Sequence, residues 1–390
     1  MPKEQGGDGS PEDARLDRVL AASKMSDRAR ERTRTYIEGL CGGSGRKTVR
    51  SIAASSRPES RVQLQRFLTG DACADGPLGD QLALEADGLV GGDRACLVVE
   101  DVVLPKKGTT SVGVARRVDG ATGKRANFQA LISLSLAREG QIVPVAIRLV
   151  LPREWIDDPA KRLAAGIPEA PSDADDQAAY EGDQIVLQEI ERLSGLKVRF
   201  GVVVAPSHYG TVRFRETLAA QRVRWVLPIS QHDEFYQRDY TFSDQGRSRG
   251  VVKFHAARKT ALDIIQCKKG QHMMRCRWSD KYEPVMAKIE DVSRSVMLRE
   301  ANEIAIAQDR VWIWMQVNGR GQSDWWMSNL PPNTVPARLA DAVRNRWLCR
   351  DEIERVKGKF GLTAYQGRSW VGLHRHALMV CLTVLWTFKR

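Results

Sequence analysis

Carboxylates that could hold a divalent cation, imidazoles, and clustered cations that could grip a phosphate gather in three stretches of this 390-residue chain. In VVEDVVLPKKG, Glu100 and Asp101 interrupt an apolar run and Lys106 and Lys107 follow; in FGVVVAPSHYG, Pro206, Ser207 and His208 follow a second apolar run. The third stretch, RWLCRDEIERVKGKFGLTAYQGRSWVGLHRH, runs from Arg346 to His376 and carries Arg350, Glu354 and Lys357. Magnesium is hard and octahedral and takes oxygen ligands, so carboxylates converging from such segments would be its natural site. Glu100 and Asp101 are adjacent and point to opposite faces of a strand. Glu354 follows Arg350 by one helical turn, about 6 Å along the axis, too far to replace a side chain at Arg350 without a register shift. His374 and His376 lie two apart on a predicted helix and face different directions, so they read as helix-surface residues rather than a ligand pair. No P-loop, HExxH or GxSxG motif is present.

The elements that would position these residues follow from pattern. From Pro11 to about Gly92 the apolar spacing is helical, as in LDRVLAASKM and RTRTYIEGL, with a Gly-rich break at Gly42 to Gly45. Ala95 to Val103 reads as a central strand, and NFQALISLSL and VPVAIRLVL as two more, together an antiparallel unit. A charged helical segment leads to the strand VRFGVVVAP, then a helix near Thr211 and the strand VRWVLPI. This pattern alone indicates an α/β or α+β protein. VWIWMQV and DWWMSNL alternate as strands, so Trp325 and Trp326 read as strand aromatics, although they could stack on an unpaired base. The apolar segment Ala377 to Phe388 is too short to cross a membrane and reads as a terminal core helix.

Composition narrows the partners. The chain has 60 Lys and Arg against 48 Asp and Glu, a net charge of +12 that favours polyanions. From Arg247 to Lys281 there are ten basic residues and two acids, Asp263 and Asp280, which makes this segment, with Arg247, Arg249, Lys253, Arg258, Lys259, Lys268 and Lys269, a candidate phosphate-contacting surface. A second basic group, Arg46, Lys47, Arg50, Arg57 and Arg61, surrounds a short helix. Seven cysteines without a CxxC pair indicate neither a disulfide framework nor a zinc ribbon and fit a reducing cytoplasm. The polar first fifteen residues read as a disordered tail without a signal peptide.

Several blocks, in order, resemble insertion-sequence 701 family transposases of the DDE superfamily. Arg346, Trp347, Lys357, Gly361, Leu362 and Gly367 to Trp370 fit the family's last motif, Val343 standing where its Tyr is usual. VEDVVLPKKGTTSVGVARRVDG resembles its first-acid strand and hairpin, FGVVVAPSHYG its ADAGYG block, and WWMSNLPPNT and RKTVRSIAASSRP two further blocks. The resemblance implies a ribonuclease H-like core with a helical N-terminal domain and a mostly β insertion. It places the three metal-binding acids at Asp101, Pro206 and Arg350, with Arg346 and Lys357 as motif support. Only Asp101 is an acid, so the two-metal site is expected to be lost, with Arg350 paired to Asp101 or to a DNA phosphate instead. Pro206 is also expected to disturb a central strand.

The resulting expectations are specific. Residues 1–15 form a tail, 16–92 a helical DNA-binding domain, 93–235 and 336–390 the core, and 236–335 the β insertion. The partner is double-stranded DNA, bound by a homodimer, with no membrane and no small-molecule cofactor. DNA contacts fall on Arg46, Lys47, Arg50, Lys106, Lys107, the basic 247–269 cluster and Arg368. The function is DNA binding by a retired transposase, a repressor or accessory protein in a bacterial nucleoid. The alternative is an active transposase cleaving and joining strands with magnesium through a rearranged acid set.

Overall fold

The computed structural model describes residues 10–389 except 43–44, 56–60, 71–74, 119–122, 170–180, 236–258, 263–272, 277–284, 294–295, 301–302, 308–309, 318–322 and 332. Mixed helix and sheet make it an α/β protein, divided into two compact units: Met1–Gly201 with Asn345–Arg390, and Val202–Arg344.

The first unit begins with α1 (Pro11–Ala22), α2 (Asp27–Cys41), α3 (Val49–Ser55), α4 (Arg61–Thr69) and α5 (Asp75–Val90). Ser10 and Ser26 cap α1 and α2, their hydroxyls accepting from the Asp13 and Ala29 amides. These helices share one unit with the strands that follow, so the boundary expected at residue 92 does not separate two compact bodies. The strands are β1 (Gly92–Lys106), β2 (Val114–Val118), β3 (Arg125–Arg138) and β4 (Gln141–Val150). β3 pairs antiparallel with β1 along one edge and with β2 and β4 in succession along the other. The β3–β4 hairpin turns on two residues, Glu139 and Gly140, both with positive φ. That is the twist-matched geometry of a two-residue hairpin loop.

After α6 (Arg153–Ile156), α7 (Pro159–Ala165) and α8 (Gly182–Gly195), the unit resumes at Asn345 within α10 (Pro336–Lys359) and ends with α11 (Trp370–Trp386). α11 is the core helix expected from Ala377 onward. Leu373, Ala377, Met379, Val380, Leu382 and Leu385 are fully buried, and the helix packs on β4, α2 and α5. Polar anchors fix it. Arg15 donates to the Leu385 and Phe388 carbonyls at its C-terminal end, 2.9 Å each. Arg375, 2% exposed, forks onto both oxygens of Asp75 at 2.8 and 2.9 Å and onto the Phe67 and Gly70 carbonyls. A buried guanidinium is tolerated only when its donors are satisfied in this way.

The second unit contains β5 (Phe200–Val204) from Val202 onward, α9 (Val212–Ala220) and β6 (Trp225–Ile229), the two strands being parallel with Val203 opposite Trp225. β6 continues antiparallel into β14 (Ser323–Ser328), β13 (Arg310–Val317), β10 (Val285–Ser293) and β9 (Met273–Cys276). Two short pairs, β7 (Glu234–Phe235) with β8 (Lys259–Thr260) and β11 (Val296–Glu300) with β12 (Glu303–Ala307), complete it. Trp314 and Trp326 stack with centroids 6.5 Å apart and are fully buried, and Trp325 is buried beside them. Both members of the Trp pair are therefore core, and base stacking at these positions is excluded. Among the described residues no helix is long and apolar enough to cross a membrane.

Candidate functional site

Strand alternation decides which acid of β1 faces α10. Cys96 and Glu100 lie four residues apart, on one face. Asn345 donates to Cys96 Sγ at 3.5 Å, Arg346 Nε lies 2.9 Å from Glu100 Oε1, and Arg350 Nε lies 3.9 Å from Glu100 Oε2. One turn of α10, from Asn345 and Arg346 to Arg350, thus lies over that face. Asp101 is exposed on the other, with Val103 and Pro105. The expected Arg350–Asp101 pair is corrected accordingly: Arg350 pairs with Glu100, the residue that strand geometry turns toward the helix.

Glu100 is a buried carboxylate held between two guanidiniums. Only 5% of it is exposed, and burial pushes its carboxyl above the ordinary glutamate value against the pull of Arg346 and Arg350, the neighbouring Asp101 adding to the rise. The Arg346 contact is close but off-axis, an ion pair rather than an aligned hydrogen bond. Arg350 is about half exposed and its guanidinium sits 5.0 Å from the centre of the Trp347 ring, so an aromatic face and a carboxylate together fix it. Cys349, buried on the same turn, has its thiol pushed well up by burial and is an inert packing group. Glu354 is exposed and bonded to Lys357 Nζ at 2.6 Å, so the acid one turn on is engaged with the motif lysine.

The other expected positions divide. Pro206 is buried just after β5, which ends at Val204, and its carbonyl accepts from Tyr209 N at 3.1 Å within the turn Ser207–Tyr209. The strand is therefore complete before the proline, and the expected disturbance is absent for that reason. His208 is exposed, its ring 4.2 Å from that of Tyr209. Lys106 does not reach outward for DNA. Its Nζ donates to the Tyr365 carbonyl at 2.8 Å, and burial lowers its pKa to about 8. Lys47 is buried and donates to the Gly42 carbonyl. Lys107, Arg46, Arg50 and Arg368 are exposed. Arg57, Arg247, Arg249, Lys253, Arg258, Lys268 and Lys269 lie outside the described residues, as does the side chain of Lys259 in β8.

Neither of the expected helix-surface histidines is exposed: His376 is a core group and His374 is half-buried. His376 is fully buried; its Nδ1 meets Tyr36 Oη at 2.9 Å and its Nε2 the Gly361 carbonyl at 3.0 Å. His374 accepts from Leu149 N at 3.2 Å through Nε2, with Nδ1 3.0 Å from the Trp370 carbonyl. Burial lowers both to about pKa 4. The available signal was the apolar run that follows them, Ala377 to Phe388, and the spacing of the two histidines alone concealed it.

The model of the family described as DDE superfamily endonuclease matches residues 19–285, more than half of the chain. The chain belongs to that family. No curated protein matches it. DDE superfamily nucleases act on DNA and typically use divalent metal ions. In this DDE chain the matched span includes Glu100, Asp101 and Pro206 and stops short of Arg350. The residues present do not fit a two-cation centre. Glu100 is occupied by two cations of the protein itself, and among the described residues no three His, Cys, Asp or Glu side chains come together. A carboxylate between two guanidiniums can orient a helix or present a positive charge.

Proposed function

We propose that this DDE family member is a transposase-like protein of the insertion-sequence 701 kind that binds double-stranded DNA as a homodimer and does not cut it, acting as a repressor or accessory protein at a bacterial nucleoid. The carrying observation is that Arg350, at the position the resemblance gives to the last acid, is a cation paired with Glu100, while Asp101, the one acid retained of the three, lies on the other face of β1. Pro206 at the second acid position supports the same reading, since it supplies no side-chain ligand. The antiparallel β4–β3–β1 ladder and the parallel β5–β6 pair are the pieces from which a ribonuclease H-like sheet is made, which supports the finer fold assignment. The half-exposed Arg350 then serves as a contact for a backbone phosphate.

The test is a gel-shift titration with duplexes from the flanks of its own locus, run in EDTA and repeated in magnesium and in manganese with both strands resolved on denaturing gels. Salt-sensitive binding without nicks is expected. Metal-dependent nicks at defined positions that vanish in Asp101→Ala would establish the active-transposase alternative and end this reading.

A further inference from the structure

The motif with the strongest sequence signature, GLTAYQGRSW, does not build the acid cluster. It builds one wall of a separate recess of about 380 Å³ whose other wall comes from α3, α4 and the loop before them. We propose that this recess, bounded by Lys47, Arg50 and Arg61 and floored by Tyr365, seats backbone phosphates of a bound DNA strand. The proposal rests on the DNA-binding reading above and assigns it a surface.

Three observations support it. Among the described residues the lining carries Lys47, Arg50 and Arg61, with Thr48, Gln65, Thr69 and Gln366 as further polar groups, and no carboxylate; Lys47 is buried and donates to the Gly42 carbonyl, so Arg50 and Arg61 are the cations that face solvent. Arg50 and Arg61 are exposed and, among the described residues, have no acidic partner. In the same unit Arg18, Arg34, Arg148, Arg192, Arg199 and Arg375 each sit on an aspartate or glutamate. Two exposed guanidiniums on one recess, with no acidic partner among the described residues, repel one another and are best satisfied by an anion from outside.

The walls are also held rigidly. Gly361 has positive φ, and a Cβ there would overlap the Lys47 side chain. A Cβ at Gly367 would overlap the Tyr365 phenol, whose ring is stacked on His376 at 5.5 Å. The backbone beneath Tyr365 is tied to Lys106 Nζ. The glycines and the buried lysines are thus accounted for by the close approach of the two walls, which fixes where Arg50 and Arg61 emerge.

The experiment compares the full-length protein with Arg50→Ala/Arg61→Ala and with a charge-matched control, Arg28→Ala/Lys197→Ala, which removes two exposed cations elsewhere. A fluorescein-labelled random duplex is titrated in EDTA at salt concentrations from about 50 to about 200 mM. Each phosphate contact contributes about 0.9 to the log–log salt slope, so loss of two should lower the slope by about 2 and weaken binding roughly 60-fold at about 0.1 M salt. The control should bind like the starting protein, and all three should melt at the same temperature. Equal weakening by both pairs would mean a general charge effect and overturn the proposal, as would an unchanged slope in the Arg50/Arg61 variant. If the starting protein binds no duplex at all, the DNA-binding reading itself fails along with it.

Discussion

Reversing the charge at Arg350 probes the acid cluster directly. Arg350 Nε lies 3.9 Å from Glu100 Oε2, which at an effective dielectric of about 20 is an attraction of about 4 kcal/mol. The Arg350 side chain is 49% exposed, so screening leaves about half of that or less. Arg350→Glu replaces this attraction of about 2 kcal/mol with a repulsion of the same order, a swing of about 2–4 kcal/mol. Uptake of a proton by Glu100, which burial already favours, limits the cost, each pKa unit being worth about 1.4 kcal/mol. Relative to the starting protein at the same pH, the variant should therefore be most destabilised near pH 8 and least so toward pH 5. It should also gain a site for a divalent cation between residues 100 and 350. Manganese is expected to raise its melting temperature saturably, by the equivalent of about 2.7 kcal/mol at a hundredfold excess over Kd. The starting protein should show no such rise. Adding Glu100→Gln should abolish the response and adding Asp101→Asn should spare it. Saturable manganese stabilisation of the starting protein, or a response that follows Asp101 instead of Glu100, refutes the reasoning.

Acid lability should follow from the buried histidines. Both have folded pKa values of about 4 against 6.5 for the free side chain, so the unfolded chain binds protons that the folded one refuses. Their contribution is complete above pH 6.5 and is lost as pH falls toward 4. Fully buried His376, opposed also by Lys106, accounts for about 3 kcal/mol. His374 lines a cavity of about 510 Å³ and should contribute less. Urea melts across that window check this, and His376→Gln should flatten the slope. Asp75→Ala should cost about 3–5 kcal/mol in the same assay by leaving the buried Arg375 charge without its carboxylate. Gly367→Ala should cost about 1–3 kcal/mol through overlap with Tyr365, and Tyr365→Leu in the same chain should recover part of it.

Much of the fold was legible where a single rule governed the residues. The helical period through α1, α2 and α5, the apolar β1, and the alternation of VWIWMQV and DWWMSNL all produced the elements expected of them. The division into units was not legible, because periodicity reports which face of an element is buried and nothing about what covers it. The first five helices carry their own apolar stripes, yet those stripes close on β4 and α11 rather than on one another alone.

The acid site shows the same limit at the scale of one residue. Adjacent acids on a strand are equivalent in a linear reading, and alternation says only that one faces each side. Which side matters is settled by where α10 lies, and that depends on Asn345, Cys349 and Ile353 packing inward, not on the acids. Once the helix lies over Glu100, the two arginines one turn apart must meet the same carboxylate, since residues four apart on a helix share a face. Arg350 therefore cannot be treated as an isolated loss of an acid. With Arg346 it places two guanidiniums on Glu100, and restoring a cation site there requires removing that charge, not merely adding an acid elsewhere on the helix.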